Sequence, residues 1–123
     1  MPPGALELRT KGTAQASTTL VVVATDAVLT KAQAKRLAVM AQSGLSRAIY
    51  PVHTPLDGDV VFAASTGRRP LGEVNVAMAG LALTGLGALA ANVVARAIAR
   101  GVYTATALPW PGAMKSWQDE FGR

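Results

Sequence analysis

Ser17-Thr18-Thr19-Leu20-Val21-Val22-Val23-Ala24-Thr25-Asp26 sets a run of hydroxyl side chains directly ahead of an aliphatic stretch rich in valine. A run this apolar and β-branched, bounded by polar residues, predicts a core strand over Thr18 to Thr25 with both faces covered. Its hydroxyls then stand at the lip of a sheet and are held in a fixed direction. Stiff aim is what a nucleophile needs from its scaffold. Threonine is also common at the start of ordinary strands, so the pattern alone assigns no reaction.

Downstream, Asp26-Ala27-Val28-Leu29 turns the chain toward a helix. Thr30 followed by Gln33 fits a capping box, in which hydroxyl and amide satisfy backbone donors that a helix start leaves unpaired. Leu37, Met40, Ala41, Gly44, Leu45 and Ala48 form one apolar face, with Lys31, Lys35 and Gln42 mostly off it. Gly44 within that stripe predicts a close approach by a neighbouring backbone. The helix should stop before Pro51.

Residues 50–58 form a loop with Pro51, Pro55 and Gly58. Val60-Val61-Phe62-Ala63-Ala64 then predicts a second strand from Asp59 to about Ser65, and Thr66 to Gly72 a turn-rich loop. Val74 to Met78 suits either a short strand or an irregular lead-in. Leu86, Leu89, Ala90, Val93, Val94, Ala97 and Ile98 mark a long alanine-rich helix from about Leu81 to Thr104, ended by Pro109 and Pro111. Trp110 and Trp117 are expected to pin the tail, and Asn92 to be a satisfied core amide. The order β-α-β-α predicts an α/β fold, a layered sandwich of helices on a sheet. Residues 1–17, without periodicity, read as a flexible leader, and 18–123 as one domain.

The 123 residues are half hydrophobic, but alanine and valine dominate and there are only two Trp, two Tyr and two Phe. Small side chains bury little area, so a partner subunit is expected to contribute stability. No cysteine is present and histidine occurs once, as His53. That excludes disulfides, thiolate chemistry and any site needing two imidazoles from this chain. No metal and no cofactor is expected. The net charge of +5 comes from scattered basic residues without interleaved aromatics, which argues against nucleic acid as a partner. Val76 to Ala95 carries no formal charge and is long enough to span a bilayer, but it lacks an aromatic belt and is followed by Arg96 and Arg100. A soluble helix on a sheet is the simpler reading, with no membrane partner. The N-terminus has no signal-peptide pattern, so the cytoplasm is the expected location.

Thr18-Thr19-Leu20-Val21-Val22-Val23-Ala24-Thr25-Asp26, its continuation Ala27 to Met40, and Leu56-Asp57-Gly58-Asp59 together resemble the nucleophile-bearing β-subunit of the DmpA-type aminopeptidases. These are self-cleaving N-terminal-nucleophile hydrolases, with the nylon-oligomer hydrolases among their relatives. The resemblance runs from about Thr18 to Arg123, and it weakens over Arg69 to Gly80. It implies that scission between Ser17 and Thr18 exposes Thr18 as the nucleophile. It also implies that Asp57 and Asp59 orient and stabilise the charges around it. Ser17 stands where relatives tend to carry Asn or Gly. By itself, Asp-Gly-Asp is equally an ordinary turn. The resemblance gives His53 no role.

The implied fold is the DmpA sandwich, of which this chain is an incomplete half. A separate α-subunit-like chain, homo-oligomeric assembly, and a small peptide or amide substrate are the implied partners. The alternative is a truncated, non-catalytic relative serving as an oligomerisation scaffold or surviving as a gene fragment.

Overall fold

The computed structural model describes residues 18–71 and 76–122. The leader, Ser17 and the residues around Val74 lie outside them. The elements are β1 (Leu20–Ala27), α1 (Lys31–Ala48), β2 (Val60–Arg69), α2 (Val76–Thr104) and a short α3 (Trp117–Phe121). β1 and β2 pair in parallel, with Leu20 opposite Val60 and Val22 opposite Phe62. A parallel pair needs a long crossover, and α1 supplies it.

α1 begins as its capping box requires. Thr30 Oγ1 accepts from Gln33 N at 3.2 Å, and Gln33 Oε1 accepts from Thr30 N at 2.8 Å. It ends where Ile49 N donates to Leu45 O, two residues before Pro51. Leu37, Ala41 and Leu45 of this helix are fully buried against Val61 of β2 and Ala90 and Val94 of α2. Gly44 is the pivot of the helix pair. A Cβ there would collide with the carbonyl oxygen of Ala91 and lie 2.7 Å from Val94 Cβ. The helices therefore touch backbone to backbone, as the small residue in the stripe predicts.

Alternation along the sheet sorts its side chains into two faces. Val21, Val23, Val61 and Ala63 turn toward the helices. Leu20, Val22 and Phe62 turn the other way and are 70%, 69% and 57% exposed. The strand expected to be covered on both faces is thus covered on one. α1 and α2 pack on the same side, and nothing among the described residues reaches the other.

Three boundaries differ from expectation. β1 runs from Leu20 to Ala27, two residues later than its apolar pattern suggests. β2 continues to Arg69 through the polar segment read as a loop. That extension contains a register shift: Thr25 pairs with Ser65, but Ala27 pairs with Arg69. Gly67 takes a left-handed conformation in the bulge (φ 64°). Ser65 Oγ donates to Ala27 O, and Arg69 Nε meets Asp26 Oδ2 at 2.9 Å. Tertiary partners thus hold a sequence that has no strand pattern of its own. α2 begins at Val76 rather than Leu81, with helix already formed through Gly80 and Gly85.

α2 is long and apolar enough over Met78–Thr104 to cross a membrane, yet it lays Ala90, Ala91 and Val94 against α1. Asn92 is not a core amide. It is exposed, and its Oδ1 accepts from Arg47. Of the two tryptophans only Trp117 docks, its ring 5.4 Å from Tyr103, whereas Trp110 is largely exposed. Ser116 caps α3. Its hydroxyl and backbone amide hold the Asp119 carboxyl below the ordinary aspartate range, with the Lys115 charge assisting.

Candidate active site

The entry of β1 and the loop ahead of β2 meet because the strands are parallel neighbours. Val60 N donates to Thr19 O at 3.0 Å, which begins the ladder. One residue earlier, Asp59 turns its side chain inward, and its Oδ1 accepts from Thr19 N at 2.8 Å. That carboxylate is only 6% exposed. A buried carboxylate is tolerated where it is hydrogen-bonded, and here the bond fixes the peptide joining Thr18 to Thr19.

Thr18 itself is exposed, at the lip of the sheet. Its Oγ1 rests over Gly58: a Cβ built on that glycine would stand 2.5 Å away. Gly58 is thus a component of the site, beyond the turn role that its place between two aspartates suggests. The signal was available, since a glycine between two acids can serve a close approach as well as a turn.

Asp57 has a different setting. Its Oδ2 accepts from Thr54 N, and its own N donates to Thr54 O, both at 2.9 Å. It braces the turn Thr54-Pro55-Leu56-Asp57 and so places Gly58 under Thr18. Asp57 and Asp59 flank that glycine, one holding the loop and the other holding the entry of β1. Ser17, the residue before the expected scission, lies outside the described residues.

His53, to which no role was given, lies beside the cluster. Its Nδ1 is 3.6 Å from Asp59 Oδ2. The contact spans six positions of a proline-rich loop, a spacing without helical or strand period, so no sequence pattern marks it.

Chemically, the cluster offers one directed hydroxyl, two carboxylates and one imidazole. No group of three or more His, Cys, Asp or Glu side chains that could hold a metal ion occurs among the described residues. An open groove of about 810 Å³ lies elsewhere, along Val93, Arg96, Arg100, Tyr103 and Trp117, and none of the Thr18 cluster lines it.

Comparison with known proteins agrees with the resemblance drawn from the β1 and Asp-Gly-Asp segments. The family model described as peptidase family S58 matches residues 3–114. Uncharacterized aminopeptidases of Mycobacterium tuberculosis and Mycobacterium bovis are 44% identical to this chain over 94 residues, and one of Mycobacterium leprae is 47% identical over 95. Each match covers 72% of this chain but only 27% or 26% of the relative. The chain therefore spans about a quarter of the length of these curated relatives. With nearly all of its sequence under the family model, the chain belongs to peptidase family S58, that of the DmpA-type aminopeptidases.

Proposed function

We propose that this chain is the nucleophile-bearing portion of an aminopeptidase-type amide hydrolase, with Thr18 as the nucleophile. The observation that carries the reading is the placement of Thr18: exposed, seated on Gly58, and attached to a peptide whose amide is held by buried Asp59. The names of the mycobacterial relatives support the same reaction class.

A threonine hydroxyl is a weak nucleophile near neutral pH and needs a base within hydrogen-bond reach. Scission between Ser17 and Thr18 would supply one. The freed α-amine sits on the same residue and has a pKa of about 8, suited to taking and returning a proton. In the proposed reaction Oγ1 attacks the substrate's amide carbonyl carbon while its proton passes to the α-amine. The tetrahedral intermediate collapses as that proton moves to the departing nitrogen, leaving an ester on Oγ1. Water, deprotonated by the same amine, opens the ester, releases the acid and restores the hydroxyl. Asp59 orients the Thr18–Thr19 peptide, and Asp57 holds the loop and adds negative charge near the ammonium.

The remaining portion of the relatives is proposed to complete the site as an α-subunit-like partner. Two features support this. A parallel sheet is ordinarily covered on both faces, and here Leu20, Val22 and Phe62 leave one face apolar and open. The relatives also carry about three quarters of their length outside the matched region. Proposed substrates are short peptides and amino-acid amides or esters.

The test is co-expression with the complementary portion of a mycobacterial relative, assayed on an amino-acid p-nitroanilide. Parent assembly should release nitroaniline and Thr18→Ala should not. Equal release by both would remove Thr18 from the chemistry. An assembly that forms but is inert in every version would favour a non-catalytic scaffold.

A further inference from the structure

His53 is set apart by its backbone as well as by its contact. Among the described residues it is the non-glycine with a left-handed conformation (φ 57°), a region that side chains with a Cβ seldom occupy. The loop holds it there with the ring 37% exposed and Nδ1 facing Asp59 Oδ2 at 3.6 Å. The other oxygen of the same carboxylate is engaged by Thr19 N. Asp59 therefore has a neighbour at each oxygen: the Thr19 amide, hydrogen-bonded to Oδ1, and the loop's imidazole beside Oδ2, beyond direct hydrogen-bond length. A buried carboxylate anchored at one oxygen alone can pivot about its Cβ–Cγ bond, and a ring standing beside the second oxygen restricts that pivot.

We infer that His53 is a positioning residue of this site. By standing beside Asp59 Oδ2 it limits the rotation of the carboxylate that holds the Thr18–Thr19 peptide, and through that peptide it steadies the direction of Thr18 Oγ1. The inference rests on the proposed role of Thr18, because aim matters only to a group that reacts. It also carries a requirement of its own. A lone pair on Nδ1 would repel the carboxylate, so the neutral ring must carry its proton on Nδ1 and leave Nε2 bare.

The sole histidine of the chain makes this measurable without ambiguity. In a long-range 15N–1H spectrum of the full chain, recorded where the ring is neutral, the Nδ1–H tautomer is expected. The Nε2–H tautomer would overturn the inference, and this readout needs no variant. His53→Asn keeps a residue that tolerates the left-handed backbone but withdraws the ring. Thr19 amide exchange should then accelerate about tenfold as Asp59 is freed. In the completed assembly, kcat should fall about tenfold with KM nearly unchanged, since an orienting group has been lost rather than a binding one. Parental exchange and parental kcat in His53→Asn would overturn the role even if Thr18-dependent hydrolysis persists. Undiminished hydrolysis by Thr18→Ala would sink the proposed reaction instead. The tautomer and the exchange rate would then still decide whether His53 steadies Asp59.

Discussion

Gly58 lies against the hydroxyl of Thr18 so closely that an added Cβ would stand 2.5 Å from Oγ1. Its backbone is not left-handed, so alanine is acceptable to the main chain and objectionable only to the hydroxyl. Gly58→Ala should therefore leave the thermal midpoint within a few degrees of the parent while lowering kcat by about a hundredfold or more. Calorimetry beside a hydrolysis assay on the completed assembly checks both halves.

The two acids should respond differently. Asp59→Ala leaves the part-buried Thr19 amide without its acceptor, which costs about 1–3 kcal/mol as well as activity. Asp57→Asn keeps an oxygen for Thr54 N and removes the carboxylate charge, so the turn should persist while turnover drops. Urea denaturation together with kinetics separates the cases. Loss of folding without a separate loss of turnover in Asp57→Asn would return that residue to the role of a turn.

Leu20, Val22 and Phe62 form the open face of the sheet. Val22→Lys with Phe62→Ser should change the stability of the isolated chain by less than about 0.5 kcal/mol, because both sites are already solvated. The same pair should abolish co-purification with the complementary portion. An undiminished complex would place the partner's contact elsewhere.

Gly44 and Gly87 both sit between α1 and α2 but face unlike neighbours. A Cβ on Gly44 meets the backbone of Ala91, which cannot step aside, whereas one on Gly87 meets the end of the flexible Met40 side chain. Gly44→Ala should destabilise by about 1–3 kcal/mol through overpacking, and Gly87→Ala by distinctly less. Equal midpoints in urea would contradict this picture of the helix pair.

Much of this arrangement was legible in the residues. The valine run, the Thr30–Gln33 cap, Gly44 and the alanine-rich repeat state their roles through local chemistry and period, and β1, α1, β2 and α2 follow in the expected order. What escaped depends on partners distant in sequence. β2 runs on through Ser-Thr-Gly-Arg-Arg because Ala27 and Asp26 hold it there. The early start of α2 cannot be read from a glycine-rich stretch of low helix propensity. The open sheet face is invisible to an apolar run, which records that a strand is to be covered but not which chain covers it. At the site, Thr18, Asp57 and Asp59 drew notice through the family resemblance, whereas Gly58 and His53 became visible only once loop and strand were brought together.

The proposal that Thr18 reacts as a freed terminal residue is tested most directly by intact-mass and N-terminal analysis of the protein purified after co-expression with the complementary portion. The expected product begins at Thr18 and has lost residues 1–17, while Thr18→Ala remains uncut. A fully active parent that retains Ser17 joined to Thr18 would contradict it.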